Sequence, residues 1–178
     1  MAILTLYMFT SAVALLRSGD LALEVNDDLG FTLSVAGSQW LLGTAFTAND
    51  GKRLSPSDGT LVATGPLEPI SGSDALGDFS GVTRAHSSAT GDFEWVGTIR
   101  AYEQEGGNGV VAFRQEYPRG ANGTAAAAHG GNASTAFPAL HRPPGAASPF
   151  GFLEWRGASA GTNRLRYTSL LLSRAALA

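Results

Sequence analysis

Alternation of apolar and polar residues is the main structural signal along this chain, and glycine-rich turns separate the alternating segments. In residues 31–35 the side chains of Phe31, Leu33 and Val35 share one face, because successive side chains of a strand point to opposite sides of a sheet. Residues 93–102 repeat this pattern over a longer run. Further strands are predicted at residues 21–25, 39–46, 61–64, 79–86, 110–117, 134–137 and 150–155.

Turn residues join two pairs of these strands into hairpins. Gly37 and Ser38 follow the strand at 31–35, and a glycine-rich turn at 105–109 follows the strand at 93–102. No convincing amphipathic helix lies between the strands, whereas a parallel sheet needs crossover connections of that kind. The sequence therefore predicts an all-β, antiparallel β-sandwich of the supersandwich-like type with about eight to ten strands.

Three stretches are predicted to interrupt the strands. Residues 66–77 are predicted to form a loop, and Pro138 is expected to end the strand at 134–137 because proline lacks the N–H that a ladder needs. Residues 120–131 are low in complexity, and their alanine run lies between glycines without an apolar period, which favours a flexible loop. The tail, residues 165–172, fits either a strand or a short helix.

Composition limits the class of protein. The chain has 178 residues, 44% hydrophobic and 15% charged, which suits one domain with a core of its own. The formal net charge is −3 and no run of Lys or Arg occurs, whereas nucleic-acid binding needs a basic surface. We therefore expect no nucleic-acid partner. Cysteine is absent, which excludes disulfides, thiolate metal sites and cysteine nucleophiles.

The N-terminal residues 2–16 contain no charged side chain and are too few to span a bilayer comfortably. This apolar run, with Ala-Val-Ala at 12–14 as a small-x-small cleavage pattern, matches a signal peptide that lacks the usual basic start. The alternative is the first buried strand or helix of the domain. We predict a signal peptide at 1–16, a single sandwich domain at 17–178 and no stable membrane span.

Two glycosylation sequons support the same compartment. Asn122 is followed by Gly-Thr and Asn132 by Ala-Ser, and both lie in the polar, glycine- and alanine-rich stretch predicted to be exposed. The sequence therefore predicts a glycoprotein of the secretory pathway, secreted or lumenal.

Residues that suggest catalysis are scattered. His86, His129 and His141 lack the spacing of metal ligands, so all three are predicted to be surface residues. No nucleophile elbow and no phosphate-binding loop occurs in the sequence. We therefore assign no catalytic residue, no metal and no cofactor.

Paired carboxylates are a sequence feature of glycoside hydrolysis, which uses two of them. The nearest pair in sequence is Asp74 with Asp78, while Glu94 and Glu116 lie on predicted strands. Alternation places Glu94 opposite the apolar face of its strand, toward solvent. A solvated face is therefore the expected position of these carboxylates.

Aromatic side chains offer a second kind of site, since their apolar faces can stack on sugar rings. The sequence contains five such candidates, Trp40, Trp95, Trp155, Tyr102 and Tyr117. Each tryptophan lies in an apolar segment, so burial is the competing interpretation. Trp95 is predicted to lie in the core, and Trp40, which follows a turn, has the weaker claim to burial.

Six short segments recur in the order expected of a known family. They are residues 37–41, 58–61, 71–79, 99–102, 110–120 and 135–138. Together they resemble the N-terminal β-sandwich of α-galactosidase and raffinose-synthase-like glycoside hydrolases, over roughly residues 20–155. In that family a (β/α)₈ barrel follows the sandwich and contributes the catalytic aspartates. The resemblance thus implies a non-catalytic sandwich, with residues 71–79 as a loop beside the sugar site.

Three functions are consistent with the sequence. The first is the N-terminal sandwich of a secreted carbohydrate-active enzyme, with an adjacent catalytic barrel as partner. The second is an autonomous carbohydrate-binding or adhesion module, and the third is a complete small enzyme with a site built from scattered residues. For sugar contacts we select Trp40, Trp155, Asp74 and Asp78.

Overall fold

A computed structural model describes residues 14–49, 52–102, 109–120 and 135–143, together with two short strands near the C-terminus. The chain divides into two compact units, Met1–Pro143 and Pro144–Ala178. Within the second unit, β12 (Leu153–Glu154) pairs antiparallel with β13 (Leu170–Leu171). All other described elements belong to the first unit.

The described residues of the first unit form strands and one short 3₁₀ helix. The helix is η1 (Pro56–Asp58). The strands are β1 (Ala14–Ser18), β2 (Leu21–Val25), β3 (Phe31–Val35), β4 (Ser38–Asn49), β5 (Lys52–Leu54), β6 (Leu61–Ala63), β7 (Glu68–Asp74), β8 (Gly77–Ser88), β9 (Glu94–Tyr102), β10 (Val110–Glu116) and β11 (Thr135–His141).

These strands form two antiparallel sheets. Sheet A has the order β1-β2-β3-β4-β11, with β5 also paired to β4, and sheet B has the order β10-β9-β8-β6, with β7 also paired to β8. The predicted all-β, antiparallel sandwich is confirmed, and so are the hairpins β3–β4 and β9–β10. Sheets A and B contain more strands than predicted, because β1, β5 and β7 do not carry a clear alternating pattern.

The core lies between the inner faces of the sheets, as the alternation predicts. Phe93, directly before β9, is buried, and so are the inward side chains of Trp95 and Ile99 on β9. A chain of aromatic rings links the sheets. Phe31 of β3 stacks on Phe113 of β10, with 5.0 Å between ring centroids. The Phe137 ring, on β11, lies perpendicular to those of Phe113 and Trp95, with 5.6 Å and 5.3 Å between the ring centroids.

The turn between β2 and β3 fastens sheet A to sheet B. Its Leu29 is fully buried and packs where Gly97 of β9 has no side chain, since a Cβ on Gly97 would lie 2.5 Å from the Leu29 Cδ1. Beside it, the Arg84 guanidinium of β8 pairs with the Asp27 carboxylate at 3.2 Å and also donates to the Asp27 carbonyl. The turn is thereby held by packing and charge together.

Two predicted irregular segments are ordered strands. The predicted loop at 66–77 contains β7, which pairs with β8 along its whole length, so that prediction was wrong. Its residues are mostly exposed, polar or small, and exposed edge strands need no alternation. Residues 71–79, expected as a loop, form this hairpin.

Pro138 does not end its strand, because β11 continues to His141. The pairing of β11 with β4 shifts register between Ala136 and Ala139. Pro138 lies within this bulge, where the ladder is interrupted and a missing N–H loses no pairing.

The predicted leader overlaps sheet A. Residues 14–16 belong to β1, and the Leu16 side chain is only 6% exposed. Two residues later, the Ser18 hydroxyl accepts a hydrogen bond from the Val110 N–H at 2.8 Å and donates to the Tyr102 carbonyl. Residues 1–13 lie outside the described residues, and the signal peptide stays a prediction. No helix in the described part of the chain has the length and apolar character of a membrane span.

Candidate ligand-binding face

The structure places Trp40 in the core rather than on the surface. Leu33 pairs with Leu41 and Ser34 pairs with Gln39, so Trp40 occupies a bulge in β4. Its side chain is 2% exposed and presents no ring face to a ligand. Bulges change which side chains point inward, and strict alternation does not reveal them.

Three other selected residues lie outside the described residues, namely Trp155, Asn122 and Asn132. The prediction for Trp95, in contrast, is confirmed. Its side chain is 1% exposed, and its indole N–H points to the Gln115 amide oxygen at 3.4 Å.

Asp74 and Asp78 are close in sequence but lie on opposite faces of the β7–β8 hairpin. Asp74 pairs with Gly77 and Asp78 pairs with Ser73, and neighbouring positions along a strand alternate in direction. The two carboxylates therefore do not form a pair. Glu94 and Glu116 lie on the outer face of sheet B, where each meets an arginine in an ion pair.

Asp74 belongs to a cluster at the end of the hairpin that includes Phe79, Arg100 and Tyr102, which we call the tip cluster. The register aligns Phe79 with Tyr102, so all four residues share the side of sheet B that faces away from sheet A, although Tyr102 itself is only 1% exposed. The Asp74 Oδ2 accepts hydrogen bonds from the Arg100 Nη1 and the Tyr102 hydroxyl, each at 2.9 Å. The Leu76 N–H donates to Oδ1 at 2.9 Å.

These hydrogen bonds fix both the orientation and the charge of Asp74. Its pKa is lowered, first by the Leu76 N–H, then by the Tyr102 hydroxyl and the Arg100 guanidinium. The carboxylate remains about one-third exposed. It is an ionised acceptor that a ligand can reach.

The aromatic part of the tip cluster supports the guanidinium. The Arg100 Cζ lies 4.3 Å from the Phe79 ring centroid, a cation–π distance. On the same face, Phe79 packs against Tyr102 with 5.6 Å between centroids. The side chain of Arg100 is thereby held between an aromatic face and a carboxylate.

A second feature of the outer face is a cavity of about 270 Å³, which we call the edge pocket. It forms where the chain leaves the sheet edge between β6 and β7. Its lining residues are Thr64, Gly65, Pro66, Glu68, Thr83, Arg84, Ala85 and Val96. Hydrogen bonds hold its wall in place, from the Thr64 N–H to the Ala85 carbonyl and from the Arg84 Nε to the Gly65 carbonyl, each at 3.0 Å.

The surface prediction for His86 was wrong, whereas His141 is exposed and His129 lies outside the described residues. His86 is fully buried, its ring lies 5.3 Å from that of Trp95, and neither ring nitrogen has a hydrogen-bond partner in the described structure. Burial, followed by the positive charge of Arg84, lowers its pKa to about 4, and an interaction with the Arg84 backbone opposes this only in part. His86 is therefore a neutral core residue at pH 7.

The face offers fixed hydrogen-bonding groups. The tip cluster combines a fixed acceptor, a guanidinium and an aromatic ring, and the lowered pKa makes Asp74 a weak proton acceptor. Among the described residues, no group of three His, Asp or Glu side chains is placed to hold a metal ion.

No protein-family model, curated protein or solved structure matches the chain. The resemblance to the sandwich of α-galactosidase-like enzymes therefore stays a prediction. The described residues of the first unit form an all-β sandwich of two antiparallel sheets.

Proposed function

We propose that this chain is a non-catalytic β-sandwich module that binds carbohydrate through the outer face of sheet B. The observation that carries the proposal is the tip cluster. Asp74 offers exposed carboxylate oxygens in a fixed orientation, and charge-assisted hydrogen bonds to sugar hydroxyls are the strong kind. Beside it, Phe79 contributes an aromatic surface against which the C–H groups of a sugar can pack.

The arrangement of the aspartates favours binding over glycoside hydrolysis. Hydrolases use two carboxyl groups about 5–10 Å apart on either side of the scissile bond. Asp74 and Asp78 point to opposite faces of one hairpin, so they cannot flank the same bond. The lowered pKa of Asp74 also disfavours a role as general acid, which requires a raised pKa.

The sequence suggests two molecular contexts for such a module. The resemblance to α-galactosidase-like sandwiches favours an accessory domain beside a catalytic barrel, in a secreted or lumenal glycoprotein. An autonomous binding or adhesion module is the alternative. Both contexts use the same face, so one experiment tests the binding itself.

The test is a glycan array of the protein expressed in a secretory host, followed by calorimetry with the glycans that bind. We expect Asp74→Asn to weaken binding about tenfold or more, because a charged acceptor is replaced by a neutral amide. The matched control is Asp78→Asn, which alters an exposed aspartate on the opposite face and should bind as the wild type does. Failure of every glycan to bind, or unchanged affinity of Asp74→Asn, would overturn the proposal. Release of sugar by the isolated chain would contradict its non-catalytic part.

A further inference from the structure

We infer that the ligand is a neutral oligosaccharide that follows β7, with one ring at the tip cluster and another in the edge pocket. This inference rests on the proposed carbohydrate binding and adds the length and charge of the ligand. Its basis is that two separate polar sites share one face and lie at opposite ends of one strand.

The register places both sites on the outer face of sheet B. Glu68 pairs with Thr83 at the start of β7, and Asp74 pairs with Gly77 at its end. The two acidic residues are six positions apart, so both point to the same side, and they are separated by about 20 Å at a rise of about 3.3 Å per residue. One sugar ring cannot reach both positions, whereas a chain of several rings can.

The edge pocket has the chemistry of a sugar subsite. Glu68 is an exposed carboxylate at the rim and can accept hydrogen bonds from two neighbouring hydroxyls. Thr83 adds a hydroxyl that is fixed by the Gly97 carbonyl at 3.1 Å and by the Thr98 hydroxyl at 3.0 Å. Pro66 and Val96 form an apolar wall for the C–H face of a ring.

The charge balance of the edge pocket selects a neutral sugar. The guanidinium of Arg84 already pairs with the Asp27 carboxylate and donates to the carbonyls of Asp27 and Gly65. Glu68 therefore sets the sign of the pocket, and a carboxylated sugar would be repelled. The volume of about 270 Å³ lies near the lower limit of small-molecule pockets, as expected for a single ring.

Between the two sites, two positions on the outer face are glycines. Gly72 on β7 and Gly81 on β8 have no side chains, and Gly81 lies in register between Ile70 and Arg100. A Cβ on Gly72 would come within 3.0 Å of the Phe79 ring, so a larger residue there would crowd the tip cluster. A sugar chain that lies along β7 would pass over Gly72 and pack against Ile70, the apolar side chain of β7 on this face between Glu68 and Asp74.

The test is calorimetry with manno-, gluco- and galacto-oligosaccharides of one to six rings. We expect affinity to rise at least tenfold from the monosaccharide to the hexasaccharide of the series that binds. Glu68→Gln and Thr83→Val should each remove most of this gain, because each removes a polar contact in the edge pocket. Asp78→Asn again serves as the control, and it should keep the full gain.

A second measurement locates the ligand directly. In amide NMR spectra of the full chain, the hexasaccharide should shift the signals of both Tyr102, at the tip cluster, and Thr83, in the edge pocket. Equal affinity for one and six rings, or an unaltered gain in Glu68→Gln, would overturn the inference while the proposed function stands. If no sugar of any length binds, the proposed function fails first and the inference with it.

Discussion

His86 is the described residue at which core packing and charge oppose each other most directly. Its ring is fully buried against Trp95, and both nitrogens lack partners among the described residues. Because burial and the charge of Arg84 disfavour the imidazolium, the folded-state pKa is about 4, against 6.5 for an ordinary histidine. The unfolded chain keeps the ordinary value.

This difference predicts a loss of stability in mild acid. Between pH 6.5 and pH 4 the unfolded chain binds a proton that the folded chain does not, so stability is complete above this window and falls as the pH drops through it. Urea unfolding should show that the contribution of His86 lowers the free energy of unfolding by about 2–3 kcal/mol between about pH 7 and about pH 4.5. The His86→Leu variant lacks this titrating group and should lose correspondingly less stability. The carboxylates titrate in the variant as they do in the wild type, so the difference between the two proteins reports on His86. If both lose the same stability, His86 is not buried as a neutral ring.

At the residue scale, alternation located most of the core but not its exceptions. Trp95 was predicted correctly because β9 runs without irregularity and its odd-numbered residues from 95 to 101 all face inward. Trp40 occupies a bulge that places its side chain in the core, and the local sequence gives no sign of this bulge. For His86 the polar residue type pointed to solvent, while its position, directly opposite Trp95, placed it in the core.

Among the elements, the β2–β3 turn depends most on a single small residue of another strand. Gly97 leaves the space that Leu29 fills, and an added Cβ would meet the Leu29 Cδ1 and the Trp95 Cη2 at 2.5 Å each. Leu29 also has a positive φ of 58°, an uncommon conformation for leucine that its packing maintains. Displacing Leu29 would loosen the turn from sheet B.

We therefore expect Gly97→Ala to destabilise the fold by about 1–3 kcal/mol, as overpacking of a dense core does. The free energy of unfolding in urea measures the effect. Gly65→Ala is the control, because a Cβ there meets nothing within 4 Å, and it should stay within about 0.5 kcal/mol of the wild type. Comparable stability of the two variants would mean that Leu29 does not occupy the gap at Gly97.

Also at the element scale, β7 and the bulge of β11 could not be predicted from the sequence, for physical reasons. β7 is exposed along most of its length, so burial imposes no period on its residues. Its pairing with β8 is what aligns Asp74 with the tip cluster, and the sequence alone selected Asp74 without its partners Arg100 and Tyr102. A prediction of β7 as the strand preceding the turn at 75–76 would have located the cluster.

At the scale of the whole molecule, the class of the fold was predictable and the strand order was not. Hairpins between consecutive strands follow from local turns, but β11 pairs with β4, a strand from about half the chain length earlier. Likewise, β6 and β7 share one side of β8, which creates the edge pocket between them. Such pairings depend on long-range packing, and no local sequence pattern specifies them.

The start of the folded domain is also a property of the whole molecule. β1 is an edge strand of sheet A, and its Ser18 contacts sheet B through a hydrogen bond to Tyr102. Two adjacent leucines test this. Leu16 is 6% exposed and Leu15 is 52% exposed, so they differ in burial and not in chemistry.

If β1 belongs to the secreted domain, Leu16→Ala should lower the free energy of unfolding by about 2–5 kcal/mol, and Leu15→Ala by less than about 1 kcal/mol. Cleavage after Ala14 would leave both leucines in the mature protein and keep this contrast. Cleavage after Leu16, as the sequence predicted, would remove both residues, and the secreted variants would then unfold identically. Two measurements therefore decide the question, urea unfolding of the two variants and N-terminal sequencing of the secreted protein. They show whether the end of the apolar run at 2–16 is removed with a leader or kept as part of β1.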